Sequence, residues 1–109
     1  MTPIDLSLLS GTWLHSREED EGASLVFRPE AFSFPRARGR EGFELSADGT
    51  MRTIDPGRDD RTEYRDGTWH VEQTLLKLDQ PGLRREFEVV SQAQGKLVLR
   101  PFAQSSLTL

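Results

Sequence analysis

The sequence predicts an all-β chain that closes into a small antiparallel up-and-down β-barrel of about eight strands, behind a short N-terminal helical lead. Three observations carry that expectation. Beyond Gly11 no segment holds a helical apolar period; runs of about five to eight residues alternate apolar with polar side chains instead. These runs stop at turn signals such as Asp48-Gly49, Asp66-Gly67, Pro81-Gly82 and Gln94-Gly95. No crossover helix separates them, so consecutive strands connect as hairpins, and a meander of this size removes its exposed edges by closing.

The elements follow in order. In "TPIDLSLLSG", Thr2 caps, Pro3 suits the first helical position, Asp5 sits in the first turn, and Gly11 supplies the exit residue. Residues 12–17 form the first strand and end at the acidic turn "EEDEG". Residues 24–28 form the second, stopped by Pro29. "AFSFPRARGR" is an irregular connection. "REGFELSADGTMRTID" is a hairpin in which Phe43 and Leu45 alternate with Glu44 and Ser46. "PGRDD" is a loop, and "RTEYRDGTWHVE" is a second hairpin turning on Asp66-Gly67. "TLLKLD" is a short strand ending at "QPG". "LRREFEVVSQAQGKLVLRP" is a third hairpin, pairing Phe87 and Val89 with Leu97 and Leu99. The residues expected inside are these four with Trp13, Phe27, Phe43, Leu45, Tyr64, Trp69 and Val71. A two-sheet sandwich is the alternative architecture.

Length and composition bound the function. At 109 residues the chain is one domain, residues 1–109, large enough to fold without covalent staples. It has no cysteine, which removes disulfides, thiolate metal sites and thiol catalysis together. The N-terminus lacks a basic, apolar signal pattern, and no run approaches the roughly 20 apolar residues of a membrane span. A cytoplasmic protein without membrane contact is expected. The net charge of −4, against one short basic cluster at Arg36, Arg38 and Arg40, argues against nucleic-acid binding.

"LSGTW" gains meaning from this frame. A short lead followed by Gly11-Thr12-Trp13, opening the first strand of an eight-stranded meander, resembles the lipocalins and their wider calycin relatives. Within that group the chain is most similar to short bacterial lipocalin-like domains. The resemblance implies that Trp13 plugs the closed end of the barrel. It also implies that an arginine near the last strand packs across the indole, and Arg100 in "KLVLRP" is the best match. A guanidinium over an indole gains about 0.5–2 kcal/mol. Strand alternation sets Arg100 apart from inward Leu97 and Leu99, so that contact requires a bend near Pro101. The fold so implied permits ligand binding.

The chemistry-bearing residues are few. His15 shares the face of Trp13 and reads either as a haem ligand or, preferably, as a hydrogen-bonded histidine at the barrel rim. His70 alternates outward. Two histidines without cysteine do not make a structural zinc site, so no metal and no cofactor is expected. Glu18, Glu19, Asp20 and Glu21 read as a solvated hairpin tip, because calcium loops space their ligands at alternate positions. Asp55, Asp59 and Asp60 read as loop chemistry beside Pro56-Gly57, since neighbouring Asp59 and Asp60 point to opposite faces. Arg36, Arg38 and Arg40 share a face in an extended segment. With Phe32, Phe34 and Tyr64 they form the candidate ligand contacts, a cationic row beside an apolar wall. The bland alternative pairs the arginines with Glu41, Glu44 or the acids at 18–21.

No nucleophile elbow, phosphate loop or dinucleotide fingerprint is present. The expected function is capture of an apolar or amphipathic anionic small molecule, by a monomer or homodimer. A protein-interaction or inhibitor domain on a filled barrel is the alternative, with a protein as partner. A small-barrel isomerase or cyclase comes third. A cavity of roughly 300 Å³ or more discriminates among them.

Overall fold

A computed structural model of the chain describes residues 4–36, 39–57 and 61–102. Among these, eight strands follow one another: β1 (Gly11–His15), β2 (Leu25–Pro29), β3 (Gly42–Leu45), β4 (Thr50–Pro56), β5 (Thr62–Glu72), β6 (Leu75–Gln80), β7 (Leu83–Ala93) and β8 (Lys96–Pro101). They form a closed barrel in the order β1-β2-β8-β7-β6-β5-β4-β3, and every neighbouring pair is antiparallel.

The order is sequential from β3 to β8 and departs from a simple meander at one place. β1 lies between β2 and β3: Trp13 stands opposite Pro29 on one side and Phe43 on the other. β2 meets β8 and completes the ring, with Phe27 opposite Leu97 and Leu25 opposite Leu99. Since β2 and β3 flank β1 in the same direction, residues 30–41 must carry the chain back along the barrel before β3 begins. We call this segment the strap. Gly42 is required where the strap rejoins the sheet, because a Cβ there would lie 2.1 Å from the Trp13 carbonyl oxygen.

Alternation fills the interior as expected for Trp13, Phe27, Phe43, Leu45, Trp69, Leu97 and Leu99, with Val71, Phe87 and Val89 packed against them. Leu9, Met51, Leu76 and Leu78 complete the core. Trp13 donates its indole N–H to the Leu9 carbonyl at 2.9 Å, and Trp69 donates to Ser46 at 2.8 Å, so neither buried ring leaves a donor unmet.

Four expectations are corrected. The helical lead is a single 3-10 turn, Leu6–Leu8, capped by Asp5, whose carboxylate accepts the Ser7 N–H at 3.0 Å. A lead this short cannot repay helix nucleation by propagation. Thr2 and Pro3 lie outside the described residues. The hairpin at Asp66-Gly67 does not form: β5 runs straight through it, and the reversal comes at Gln73-Thr74, with Gln73 at φ 58°. Gly67 serves closeness instead of turning, since a Cβ there would sit 2.2 Å from the Asp79 carbonyl oxygen. Tyr64 is outside the barrel and 53% exposed. Without a turn between them, Tyr64 and Trp69 are an odd number of positions apart on one strand and face opposite ways. Arg100 pairs with Glu88 on the outer face and does not cover Trp13. The tie from the chain's start to its last hairpin is made by Gln92, which accepts the Asp5 N–H at 2.8 Å and donates to the Asp5 carbonyl at 3.0 Å.

Trp13→Ala is expected to cost about 3–5 kcal/mol in denaturant unfolding. Arg100→Ala, which removes an exposed pair, is expected to change stability by less than about 1 kcal/mol. A double-mutant cycle between the two should show no coupling; a shared loss would restore the arginine-on-tryptophan arrangement.

Candidate functional site

The filled end of the barrel, around Leu9, Trp13, Leu45, Met51, Trp69 and Leu76, leaves the other end hollow. There a chamber of about 440 Å³ opens to solvent. Its walls are apolar: Leu25 and Phe27 from β2, Phe43 from β3, Leu78 from β6 and Phe87 from β7. Its polar groups are His15, Glu41, Thr53, Asp55, Arg85 and Glu86, and exposed Glu41 and Phe102 border the mouth.

Four of these polar residues, His15, Thr53, Asp55 and Arg85, arrive by strand alternation. His15 continues the inward register of Trp13, Asp55 that of Met51 and Thr53, and Arg85 that of Phe87 and Val89. Thr53 is held by Gln80, whose amide donates to its hydroxyl at 3.0 Å. Arg85 is different. Its Nε is buried and has no hydrogen-bond acceptor among the described residues. An unmet buried donor costs about 1–3 kcal/mol, and more when it belongs to a charged group.

His15 is fixed from three sides. Its Nε2 lies 2.8 and 3.1 Å from the two Asp20 oxygens, its ring packs on Phe27 at 5.3 Å, and its Nδ1 is 3.6 Å from Glu41. Asp20 is itself positioned by the Val26 N–H at 2.9 Å. A carboxylate accepts only, so Nε2 is the donor in this pair and Nδ1 is left toward Glu41 and the chamber. His15 is thus a hydrogen-bonded histidine on the chamber wall.

The acids at 18–21 are not a solvated tip. Glu18 makes a bidentate pair with Arg40 at 2.6 and 2.8 Å, and Arg40 also donates to the carbonyls of His15 and Pro35. Glu19 makes a second bidentate pair with Arg28 at 2.7 and 2.8 Å. The two guanidiniums lie 4.6 Å over the rings of Phe34 and Phe32, which meet edge-on. Together these contacts fasten the strap to the outside of the barrel. Bonding to Arg40 and to Arg28 holds the Glu18 and Glu19 carboxyls well down, each at about 2.

Among the described residues, the candidate ligand contacts from the sequence, Arg36, Arg40, Phe32, Phe34 and Tyr64, are therefore not gathered at the chamber. Arg40 is committed to Glu18 with its side chain only 6% exposed, Phe32 and Phe34 face Arg28 and Arg40, and Tyr64 carries the Arg52 guanidinium at 4.5 Å. Arg36 is exposed; Arg38, Arg58, Asp59 and Asp60 lie outside the described residues. His70 is exposed, as alternation required. Asp55, read from the sequence as part of a loop, lies within β4 and lines the chamber; Arg85 and Thr53 carry no motif that marks them, although the inward register of their strands places them there. Among the described residues no three metal-ligating side chains converge, and no helix is long and apolar enough to cross a membrane.

Compared with protein-family models, with curated proteins and with solved structures, the chain matches none of them.

The carboxylates of Glu18 and Glu19, to which the strap is fastened, set an acid limit. Their depressed values mean that the stability they supply is complete above their ordinary value of 4.5 and is lost as pH falls toward about 2. Denaturant unfolding across that window should show a fall in stability that becomes shallower in the Glu18→Gln, Glu19→Gln double variant. An unchanged slope would mean that the two pairs do not persist in solution.

Proposed function

We propose that the protein captures a small amphipathic molecule, seating its apolar body in the chamber and an anionic or strongly accepting end on Arg85. The observation that carries this reading is an apolar-walled chamber of about 440 Å³ holding a buried guanidinium nitrogen without an acceptor. The volume lies in the range of small-ligand sites, and few polar groups on apolar walls is how such sites orient what they hold. A ligand acceptor would satisfy the donor that the fold leaves unmet. This is the lipocalin-like manner of use, one ligand in a barrel open at one end. We read the chain as a small, divergent barrel of that kind, with β1 relocated between β2 and β3.

The anion-binding group is thus Arg85 and not the row on the strap. Glu41, Asp55 and Glu86 surround the chamber with opposing charge, which selects against highly charged anions and favours a single carboxylate or a neutral acceptor. A filled core was the premise of the interaction-domain alternative, and the chamber removes that support.

A second reading has its own observation. A histidine on the chamber wall, oriented by Asp20 through Nε2, has the arrangement of a general acid–base group. An isomerase acting on the captured molecule would use Nδ1 of His15 for proton transfer. Turnover lost in His15→Gln while capture persists would establish this reading.

Decanoate, decanol and decylamine are suitable probes by calorimetry. Decanoate should bind the wild type best. Arg85→Met should weaken it by roughly tenfold or more, the worth of a charge-assisted hydrogen bond. Glu41→Gln should strengthen it. No binding at millimolar concentration, or equal binding by Arg85→Met, would contradict the proposal.

A further inference from the structure

We propose that the free edge of β5 pairs with the same edge of a second copy of this chain, forming a two-fold dimer centred on Tyr64. β5 pairs with β4 from Thr62 to Thr68, yet β6 joins it only from Thr68 onward. β6 ends at Gln80, whose amide donates to the Arg65 carbonyl at 3.0 Å; residues 62–66 have a partner strand on one side only, and all five are exposed.

The backbone on that side is turned outward. Trp69 donates its N–H to the Gly49 carbonyl, which lies beside β4. Along an antiparallel strand alternate residues direct their N–H and C=O to alternate neighbours. Thr62, Tyr64 and Asp66 therefore direct theirs to the open side. Such a row is a template for strand addition.

The side chains specify what adds. Several outer charges are paired across strands: Arg52 with Glu44, Arg84 with Asp79 and Arg100 with Glu88. Glu63 and Arg65 lie on the other face of β5, the face of Trp69. Glu63 and Arg65 have no ionic partner among the described residues. They flank Tyr64 with opposite signs. Antiparallel pairing about a two-fold axis through Tyr64 sets Glu63 opposite Arg65 of the partner subunit, and Arg65 opposite Glu63 of the partner subunit. Thr62 then stands opposite Asp66 of the partner subunit. Charges placed to block an edge would repel in that register, whereas these attract twice. Tyr64, stiffened by the Arg52 guanidinium over its ring, adds exposed aromatic surface at the centre. The interface is isologous, so it closes at two copies and does not propagate.

The test is sedimentation equilibrium on the whole chain from micromolar to about millimolar concentration, a range chosen because one short strand pair is a small interface. A concentration-dependent dimer is expected. Glu63→Arg alone, or Arg65→Glu alone, sets like charges opposite each other in both halves and should raise the dissociation constant roughly tenfold. Combining the two substitutions restores opposite pairs and should restore the dimer. The circular-dichroism spectrum and melting temperature check that each variant folds. The Tyr64 amide should also become protected from hydrogen exchange as concentration rises. A chain that stays monomeric throughout would overturn the proposal. So would a dimer indifferent to either single swap, or one that the double swap fails to restore.

Discussion

The position of β1 between β2 and β3 is the constraint on which the rest of the molecule depends. Five residues, Gly11–His15, serve two neighbours and close the ring. With β1 occupied on both sides, β2 must find its outer partner in β8, and the chain must return along the barrel to start β3. The strap is the consequence. So is the close contact at Gly42, where no side chain fits between two backbones. Closure also explains how a chain of this size manages with few exposed ladders: every strand has two neighbours, and one-sided pairing is confined to strand ends, as at the projecting start of β5.

A strap that runs outside a barrel buries little apolar surface, so it needs fastening by other means. Two bidentate arginine–glutamate pairs, stacked on Phe32 and Phe34, and the His15–Asp20 contact supply it. These are partly sheltered pairs that also bond to backbone carbonyls, which makes them more effective than isolated surface pairs. The same segment delivers Glu41 to the chamber mouth. Fastening and chamber thus meet at His15: its carbonyl receives Arg40 outside the barrel, while its ring lines the chamber within.

Much of this was legible in the sequence, and for a local reason. Strand existence follows from alternation, and the turns at Asp48-Gly49, Pro81-Gly82 and Gln94-Gly95 follow from residue preferences, so Phe43, Leu45, Leu97 and Leu99 fall inside as expected. What failed depended on distant partners. Gly67 carries the same local signal as a turn glycine, and only the proximity of Asp79 shows that it serves close packing. Once that turn is misplaced, Tyr64 is put on the wrong face. The pairing of Arg40 with Glu18 is one of the alternatives the sequence left open, whereas Arg28, on β2, carries no local mark of its pairing with Glu19. Arg85 was readable in principle: alternation places it with Phe87 and Val89, but a run of arginines on a strand looks like solvent-facing charge. The arginine row stands out by composition, while the arginine on the chamber wall is placed there by register.

The strand order is what a measurement should reach first, since the strap, the chamber mouth and the fastening pairs all follow from it. Cross-strand nuclear Overhauser effects on isotope-labelled protein report it directly. The account predicts contacts from Thr12 to Glu44 and from Leu14 to both Gly42 and Arg28, together with contacts from Val26 to Val98. Contacts from β1 to β8 in place of those to β3 would restore a simple meander and contradict it.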